Sequence, residues 1–165
     1  MLVLLNDTHH LLEGTGVEYS IVASTALGWM RHRSHFIPWD DDIDVYIRPK
    51  DTSKVIAAIK AHPVYCTESF WGGPKIYRCD SPPIEPYKWS YPFIDIFNGK
   101  QPPHGTSLDN VFPSALGTME GIQVRVPHRI EDHLRKSYGA KWATECVASK
   151  REQARERPAP TPTGR

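Results

Sequence analysis

The sequence predicts an α+β fold, and three observations support this prediction. Hydrophobic periodicity over the first sixty residues gives the order helix, strand, helix, strand, helix. Two later stretches, 93–97 and 116–126, have the apolar and β-branched composition of strands, and Glu120-Gly121 divides the second like a hairpin. At 165 residues, with 39% apolar and 24% charged, the chain has the size and composition of one soluble globular domain.

Three of the helices are predicted by apolar spacing and by the residues that end them. The first ends at the glycine-containing residues 14–16. Another begins after Asp51 or Thr52 and ends before Pro63, and the last ends at Gly139. The apolar positions that predict these helices are Leu2, Leu5 and Leu12; Val55, Ile56 and Ile59; and Ile130, Leu134 and Tyr138.

A short helix over 26–31 is predicted to follow a strand over 17–23. Ser24 and Thr25 are N-cap candidates for this helix. Small hydroxyl residues at a helix N-terminus also leave backbone N–H groups that can bind an anion. The local sequence favours an ordinary cap and a phosphate-binding turn equally.

An acidic cluster precedes and enters the second strand, with four carboxylates in five positions: Asp40, Asp41, Asp42 and Asp44. Side chains alternate along a strand, so Asp42 and Asp44 share one face while the intervening aliphatic residues share the other. Like charges at such short spacing repel unless a cation relieves them. Carboxylate oxygens are ligands that Mg²⁺ prefers, so the pattern predicts a divalent metal site.

Asp95 lies at the centre of the apolar run 93–97. A buried aspartate without a partner costs free energy unless it is paired or binds a metal. If the strand of Asp95 lies beside that of Asp42 and Asp44, the three carboxylates form one metal site.

Several other residues are candidates for ligand contacts. Arg31 and His32 follow the short helix and could bind a diphosphate, and Lys75 could do the same from a short strand. Surface exposure is the alternative interpretation for Lys75, as it is for Arg78. The aromatic residues of the proline-rich loop, which could stack on a nucleobase or pack in a core, are Tyr87, Trp89 and Tyr91.

Composition excludes some partners and compartments. The formal net charge of +1 gives no global field for nucleic acid, and no segment resembles a membrane span. Cys66, Cys79 and Cys146 show no metal-binding spacing, so reduced buried thiols are expected.

As written the chain is expected in the cytoplasm, or in the secretory-pathway lumen if it is a fragment. Residues 149–165 are expected to be a disordered tail after a domain over 1–148.

Three blocks in order resemble the LicD/fukutin family between about residues 10 and 140. The first is Leu-Gly-Trp-Met-Arg-His at 27–32 followed by Phe-Ile-Pro-Trp-Asp-Asp-Asp-Ile-Asp-Val at 36–45. The second is Pro-Phe-Ile-Asp-Ile-Phe at 92–97. The third runs from Val-Phe-Pro at 111–113 through Glu-Gly-Ile at 120–122 to Leu-Arg-Lys-Ser-Tyr-Gly at 134–139.

This resemblance implies a nucleotidyltransferase-like mixed sheet with flanking helices, as in the polymerase β superfamily. It implies transfer of a substituted phosphate, such as phosphocholine or ribitol phosphate, from a CDP-linked donor to a sugar hydroxyl of a glycan, with release of CMP. Asp42, Asp44 and Asp95 match the acids expected to be catalytic and, with Asp40, to bind Mg²⁺ or Mn²⁺. Asp95 could be a ligand or a general base. The residues expected to bind substrate are Ser24, Thr25, Gly28, Arg31, His32 and Lys75.

The chain departs from the family where Ala23-Ser24 stands in place of a common glycine, and the connection between Asp44 and Asp95 is compact. Two alternative functions remain open. A metal-dependent glycosyltransferase would use a nucleotide sugar in place of a CDP-linked donor. A truncated or inactive relative would bind a nucleotide without turnover.

Overall fold

The computed structural model describes residues 1–70 and 72–145. The whole predicted tail over 149–165, together with Cys146, lies outside the described residues. The helices of the described chain are α1 (Leu2–Thr15), α2 (Ala23–Arg31), α3 (Thr52–Ala61), α4 (Leu108–Val111) and α5 (Ile130–Tyr138). The strands are β1 (Tyr19–Ile21), β2 (Asp42–Ile47), β3 (Tyr65–Phe70), β4 (Gly73–Arg78), β5 (Phe93–Phe97), β6 (Ala115–Met119) and β7 (Ile122–Val126).

The central sheet is mixed and has the strand order β1-β2-β5-β4-β3. β2 and β5 are parallel neighbours, and the other pairs are antiparallel. A separate antiparallel hairpin joins β6 and β7 and packs with β1 and α1. The α+β prediction and the mixed sheet with flanking helices are therefore confirmed.

The alternation predicted for β2 sets the position of the core. Ile43, Val45 and Ile47 are fully buried among the core residues that α1 and α3 cover. Asp42 and Asp44 lie on the other face of the strand, as expected. Asp95 on β5 shares that face because it is paired directly with Asp44.

Helix α2 begins earlier than predicted. Its first residue is Ala23 and its N-cap is Val22, so Ser24 and Thr25 lie in the first turn and are not caps. Strand β1 is correspondingly shorter than the predicted 17–23. Ala23 has a φ of 45°. The chain turns from strand to helix at this residue without the glycine that would adopt such a φ most easily.

The prediction of reduced thiols is wrong for two cysteines. Cys66 on β3 and Cys79, just after β4, form a disulfide across this hairpin. Because β3 was not predicted from the sequence, none of the predicted elements placed the two cysteines next to each other. Disulfides are typical of proteins that fold in oxidising compartments.

None of the helices within the described residues combines the length and apolar character needed to cross a membrane.

Candidate active site

Three adjacent strands place the predicted acids side by side. Asp44 on β2 pairs in register with Asp95 on β5, and Asp95 pairs with Lys75 on β4. Asp42 lies two residues before Asp44 on the same face. Each of the three aspartates has a carboxylate oxygen within 4.8 Å of an oxygen of the other two.

Burial and mutual repulsion raise the pKa values of Asp42 and Asp44, so these two acids are hard to ionise. Asp44 is only 6% exposed. Desolvation, followed by the charge of Asp42, raises the pKa of Asp44 to about 8. Desolvation, followed by the charge of Asp95, raises the pKa of Asp42 to about 6. The closely spaced negative charges repel one another, and a bound cation would reduce this repulsion.

The first turn of α2 holds Asp44 in place. The Ser24 hydroxyl donates to Asp44 Oδ2 at 2.8 Å, and the Ser24 backbone N–H donates to the same oxygen at 3.3 Å. The Asp44 backbone N–H donates to Thr25 Oγ1 at 2.8 Å. Thr25 is almost fully buried, and its hydrogen bond ties the first turn of α2 to the backbone of β2.

A second acidic group extends the site towards solvent. Asp40, Asp41 and Asp42 have carboxylate oxygens within 4.8 Å of one another. Burial raises the pKa of Asp40, and its Oδ2 is buried without a hydrogen-bond partner among the described residues. An acceptor oxygen left in this state is available to a cation or a donor group.

Lys75 pairs with Asp95 at the edge of the acid cluster. Its ammonium group forms a salt bridge and hydrogen bond with Asp95 Oδ1, and Lys75 is only 5% exposed. The same ammonium lies 4.1 Å from the ring centroid of Phe93 and 4.6 Å from that of Trp89. The lysine is therefore buried between a carboxylate and aromatic rings, and it is not the surface residue that the alternative interpretation expected.

The other expected substrate-binding residues lie along α2. Arg31 and His32 line an open cleft of about 220 Å³, which Ser24 and Asp40 also line. Gly28 lies behind this cleft, where an added Cβ would approach the His35 carbonyl oxygen to 2.9 Å. Gly28 therefore allows α2 to pack closely against the segment that leads into the acidic cluster.

Aromatic residues that the sequence analysis did not assign also line this cleft. They are Trp39, Tyr138 and Trp142. Burial raises the pKa of the Tyr138 phenol, and the charges of the acid cluster add to this effect. Trp39 is 75% exposed and meets the His32 ring edge-on at 6.3 Å. The sequence signal for Trp39 was its position directly before Asp40, next to the acidic cluster.

The donor set fits a hard divalent cation. Asp42, Asp44 and Asp95 supply oxygen atoms only, from three carboxylates that converge within 4.8 Å. Oxygen ligands are what Mg²⁺ selects, while Mn²⁺ accepts the same set. Asp40 lies beside them with its buried, unpartnered oxygen. No sulfur or imidazole ligand lies in either acidic group found among the described residues.

Comparison with known proteins identifies the family of the chain. The sequence profile of the family described as LicD/FKTN/FKRP, nucleotidyltransferase domain, matches residues 16–129. The lipopolysaccharide cholinephosphotransferase LicD of Haemophilus influenzae is 40% identical over 53 residues, which cover 32% of this chain and 20% of that protein. The uncharacterized protein RP689 of Rickettsia prowazekii is 44% identical over 48 residues, 29% of this chain and 18% of that protein. The match thus spans about a fifth of the length of these curated relatives.

A solved structure supports the fold. ANT(2″)-Ia, crystallised in complex with adenylyl-2″-tobramycin, superposes with a TM-score of 0.50 at 12% identity over 76% of this chain and 68% of that one. At this identity the likeness concerns the fold alone. The family match covers most of the chain and includes β2, β5 and all three clustered acids. The chain belongs to the LicD/FKTN/FKRP family of nucleotidyltransferase domains.

Proposed function

We propose that this domain is a metal-dependent phosphotransferase that moves a substituted phosphate from a CDP-linked donor to a sugar hydroxyl of a glycan and releases CMP. The transferred group is phosphocholine or a polyol phosphate such as ribitol phosphate. The observation that carries the proposal is the convergence of Asp42, Asp44 and Asp95 from two parallel strands. Membership of the LicD/FKTN/FKRP family supports a transferase of phosphate-linked groups.

The reaction is a displacement at one phosphorus atom. The acceptor hydroxyl oxygen forms a bond to the phosphorus that carries the substituent. The bond from that phosphorus to the bridging oxygen breaks, and CMP leaves with the electron pair. We assign the hydroxyl proton to Asp95, because its side chain is 24% exposed while Asp44 is buried.

Different residues are assigned to metal binding, to donor binding and to positioning. Asp42, Asp44 and Asp95, with Asp40, would hold Mg²⁺ or Mn²⁺, which neutralises diphosphate oxygens when bound. Ser24, whose hydroxyl and backbone N–H both donate to Asp44 Oδ2, would orient that carboxylate, and it lines the cleft in which donor phosphate oxygens would bind. Thr25 and Gly28 position the strand and the helix. Arg31, His32 and Lys75 supply positive charge around the donor.

Binding and turnover with the folded protein test the proposal. Thermal stability is measured with Mg²⁺ and CDP-choline or CDP-ribitol, and CMP release is measured with a glycan acceptor. A ligand at a hundredfold excess over its Kd stabilises the folded state by about 2.7 kcal/mol. We expect stabilisation and CMP release to require the metal, and both to be lost in Asp42→Asn/Asp44→Asn.

A matched control variant tests whether these effects come from the acid cluster or from the loss of any carboxylate. Asp132→Asn removes a carboxylate that is paired with Arg135 on the exposed side of α5, and it should leave both measurements unchanged. Stabilisation by UDP- or GDP-sugars with hexose transfer would replace the proposal with a glycosyltransferase. Nucleotide binding without CMP release would identify an inactive relative.

A further inference from the structure

The loop that precedes β5 carries an aromatic pocket beside the acid cluster. We define the aromatic box as the rings of Phe70, Tyr87, Trp89 and Phe93. Together with Asp41 and Ile84, these rings line a pocket of about 280 Å³. This pocket is separate from the cleft that Arg31 and His32 line.

The rings of the box are packed against one another. Tyr87 and Trp89 stack with their centroids 4.5 Å apart and their planes 19° from parallel. Phe70 meets Trp89 edge-on at 4.8 Å, and Phe93 meets it at 6.2 Å. These contacts hold the rings in fixed positions around the pocket, and a ring face that borders the pocket can contact a quaternary ammonium ion.

Hydrogen bonds fix the loop that supplies two of these rings. The Ile84 N–H donates to the Trp89 carbonyl at 2.9 Å, and the Ser90 hydroxyl donates to the Ser81 carbonyl at 2.7 Å. Pro83 and Ser90 form a bridge between the two sides of the loop. The box is thus largely formed before a ligand binds, which lowers the entropic cost of binding.

The box already contacts one cation within the molecule. The Lys75 ammonium lies over the rings of Phe93 and Trp89, and 5.6 Å from the centroid of Phe70. Its charge is paired with Asp95, and Lys75 does not line the pocket. The carboxylate that does line the pocket is Asp41, so the pocket favours a positive guest.

The side chains that line the pocket offer few hydrogen-bonding groups. Among the described residues, they contribute one carboxylate, one phenol hydroxyl and one indole N–H. The successive hydroxyls of a polyol would lose water there without enough partners. A trimethylammonium group needs no hydrogen bonds and gains from both the rings and the carboxylate.

The pocket lies within reach of the metal-binding acids. Asp41 and Asp42 have carboxylate oxygens within 4.8 Å of each other. The ammonium of phosphocholine is joined to its phosphate by a two-carbon linker. A phosphate held at the acids therefore has its ammonium close to the box.

We propose that the aromatic box and Asp41 bind the quaternary ammonium group of the transferred phosphocholine and thereby select it over a polyol phosphate. This inference rests on the proposed phosphotransferase function, because it places the head group of the donor. It also assigns Asp41 to the head group and leaves the metal to the neighbouring acids.

The test compares phosphocholine with 3,3-dimethylbutyl phosphate, which has the same shape but carries carbon in place of the charged nitrogen. Binding to the full chain in Mg²⁺ is measured by calorimetry. We expect phosphocholine to bind about tenfold more tightly. Tyr87→Leu and Asp41→Asn should each reduce this preference about fivefold, the effect of losing one cation contact.

Two variants on the same loop serve as controls. Tyr87→Phe retains the ring and should retain the preference. Tyr91→Leu changes a ring that is 50% exposed and does not line the pocket, and it should have no effect. Equal binding of the two ligands by the natural chain, or tighter binding of ribitol phosphate, would overturn the inference.

Metal-dependent binding of CMP, measured on the same samples, separates the two proposals. If CMP binds through Asp42 and Asp44 but phosphocholine is not preferred, the head-group assignment fails and the phosphotransferase remains. If phosphocholine is preferred but CMP does not bind, the box is real and the phosphotransferase reaction is wrong.

Discussion

Ala23 is the first residue of α2, and it has a strained backbone conformation. Its φ of 45° lies in the left-handed region, which costs a residue with a Cβ roughly 1 kcal/mol relative to glycine. Its side chain is 6% exposed and packs with Val22 and Tyr46. Strain is therefore tolerated here because the packing around Ala23 holds the turn that delivers Ser24 to Asp44.

Replacing this residue by glycine provides a test at a single position. We expect Ala23→Gly to change the free energy of unfolding by less than about 0.5 kcal/mol, because relief of φ strain offsets the lost methyl packing. The matched variant Ala26→Gly, in the buried interior of the same helix, should cost about 1 kcal/mol or more. Equal losses in urea denaturation would show that Ala23 carries no strain.

At individual positions, the sequence predicted residues whose neighbours follow from local spacing. Asp42 and Asp44 share a face because of strand alternation alone, and Asp95 stands out as an acid in an apolar strand. The pairing of Lys75 with Asp95 was not predicted. It depends on which strand lies beside β5, and a lysine in a short strand carries no local sign of its partner.

The β3–β4 hairpin is an element whose position matters to both the acid cluster and the aromatic box. It carries Lys75 to Asp95 and Phe70 to the aromatic box. Cys66 and Cys79 join its two strands, enclosing a loop of 13 positions. β3 is an edge strand that is hydrogen-bonded to a neighbouring strand on one side only. The disulfide therefore adds a covalent restraint to a strand that the sheet holds on one side only.

Reduction of this disulfide should destabilise the protein. Closing a loop of this length contributes about 3 kcal/mol through the unfolded chain. We expect dithiothreitol to lower the free energy of unfolding by about that amount, and Cys66→Ser/Cys79→Ser to show the same loss without further response to the reductant. A reductant effect of equal size in the double variant would assign the effect to another thiol.

Some elements could be predicted from sequence and others could not. α1, α3 and α5 combine apolar spacing with a glycine or proline that ends them, and both signals are local. β3 has the sequence Tyr-Cys-Thr-Glu-Ser-Phe, which is largely polar and lacks clear alternation. The start of α2 was predicted too late, because Ser24 and Thr25 resemble caps although their hydroxyl groups bond Asp44 and its backbone.

At the scale of the whole molecule, buried titratable groups set how stability depends on pH. His133 on α5 is fully buried, and its Nδ1 lies 3.1 Å from the Thr106 hydroxyl. Burial lowers the pKa of His133 to about 4. In the unfolded chain the imidazole titrates near 6.5, so the unfolded state takes up the proton first as the pH falls.

The contribution of His133 to folding stability should therefore fall as the pH drops from about 6.5 to about 4, while the raised pKa values of Asp42 and Asp44 act in the opposite direction. The loss from His133 amounts to about 3 kcal/mol, from the difference between the two pKa values. His133→Gln removes this contribution, so the stability of the variant relative to the natural chain should increase by about 3 kcal/mol as the pH falls over this range. Because Asp42 and Asp44 titrate in both proteins, the difference between them isolates His133. Parallel pH profiles in chemical denaturation would contradict the assignment.

The parallel pairing of β2 with β5 has a consequence for how the site assembles. Asp44 and Asp95 are 51 positions apart in the chain, and α3 and the β3–β4 hairpin lie between them. Contacts at this separation form only after a long loop closes, which is slow and entropically costly. A partly folded chain keeps Asp42 and Asp44 together but lacks Asp95, so the metal affinity that we propose for the three-acid site should develop late in refolding, when the centre of the sheet is complete.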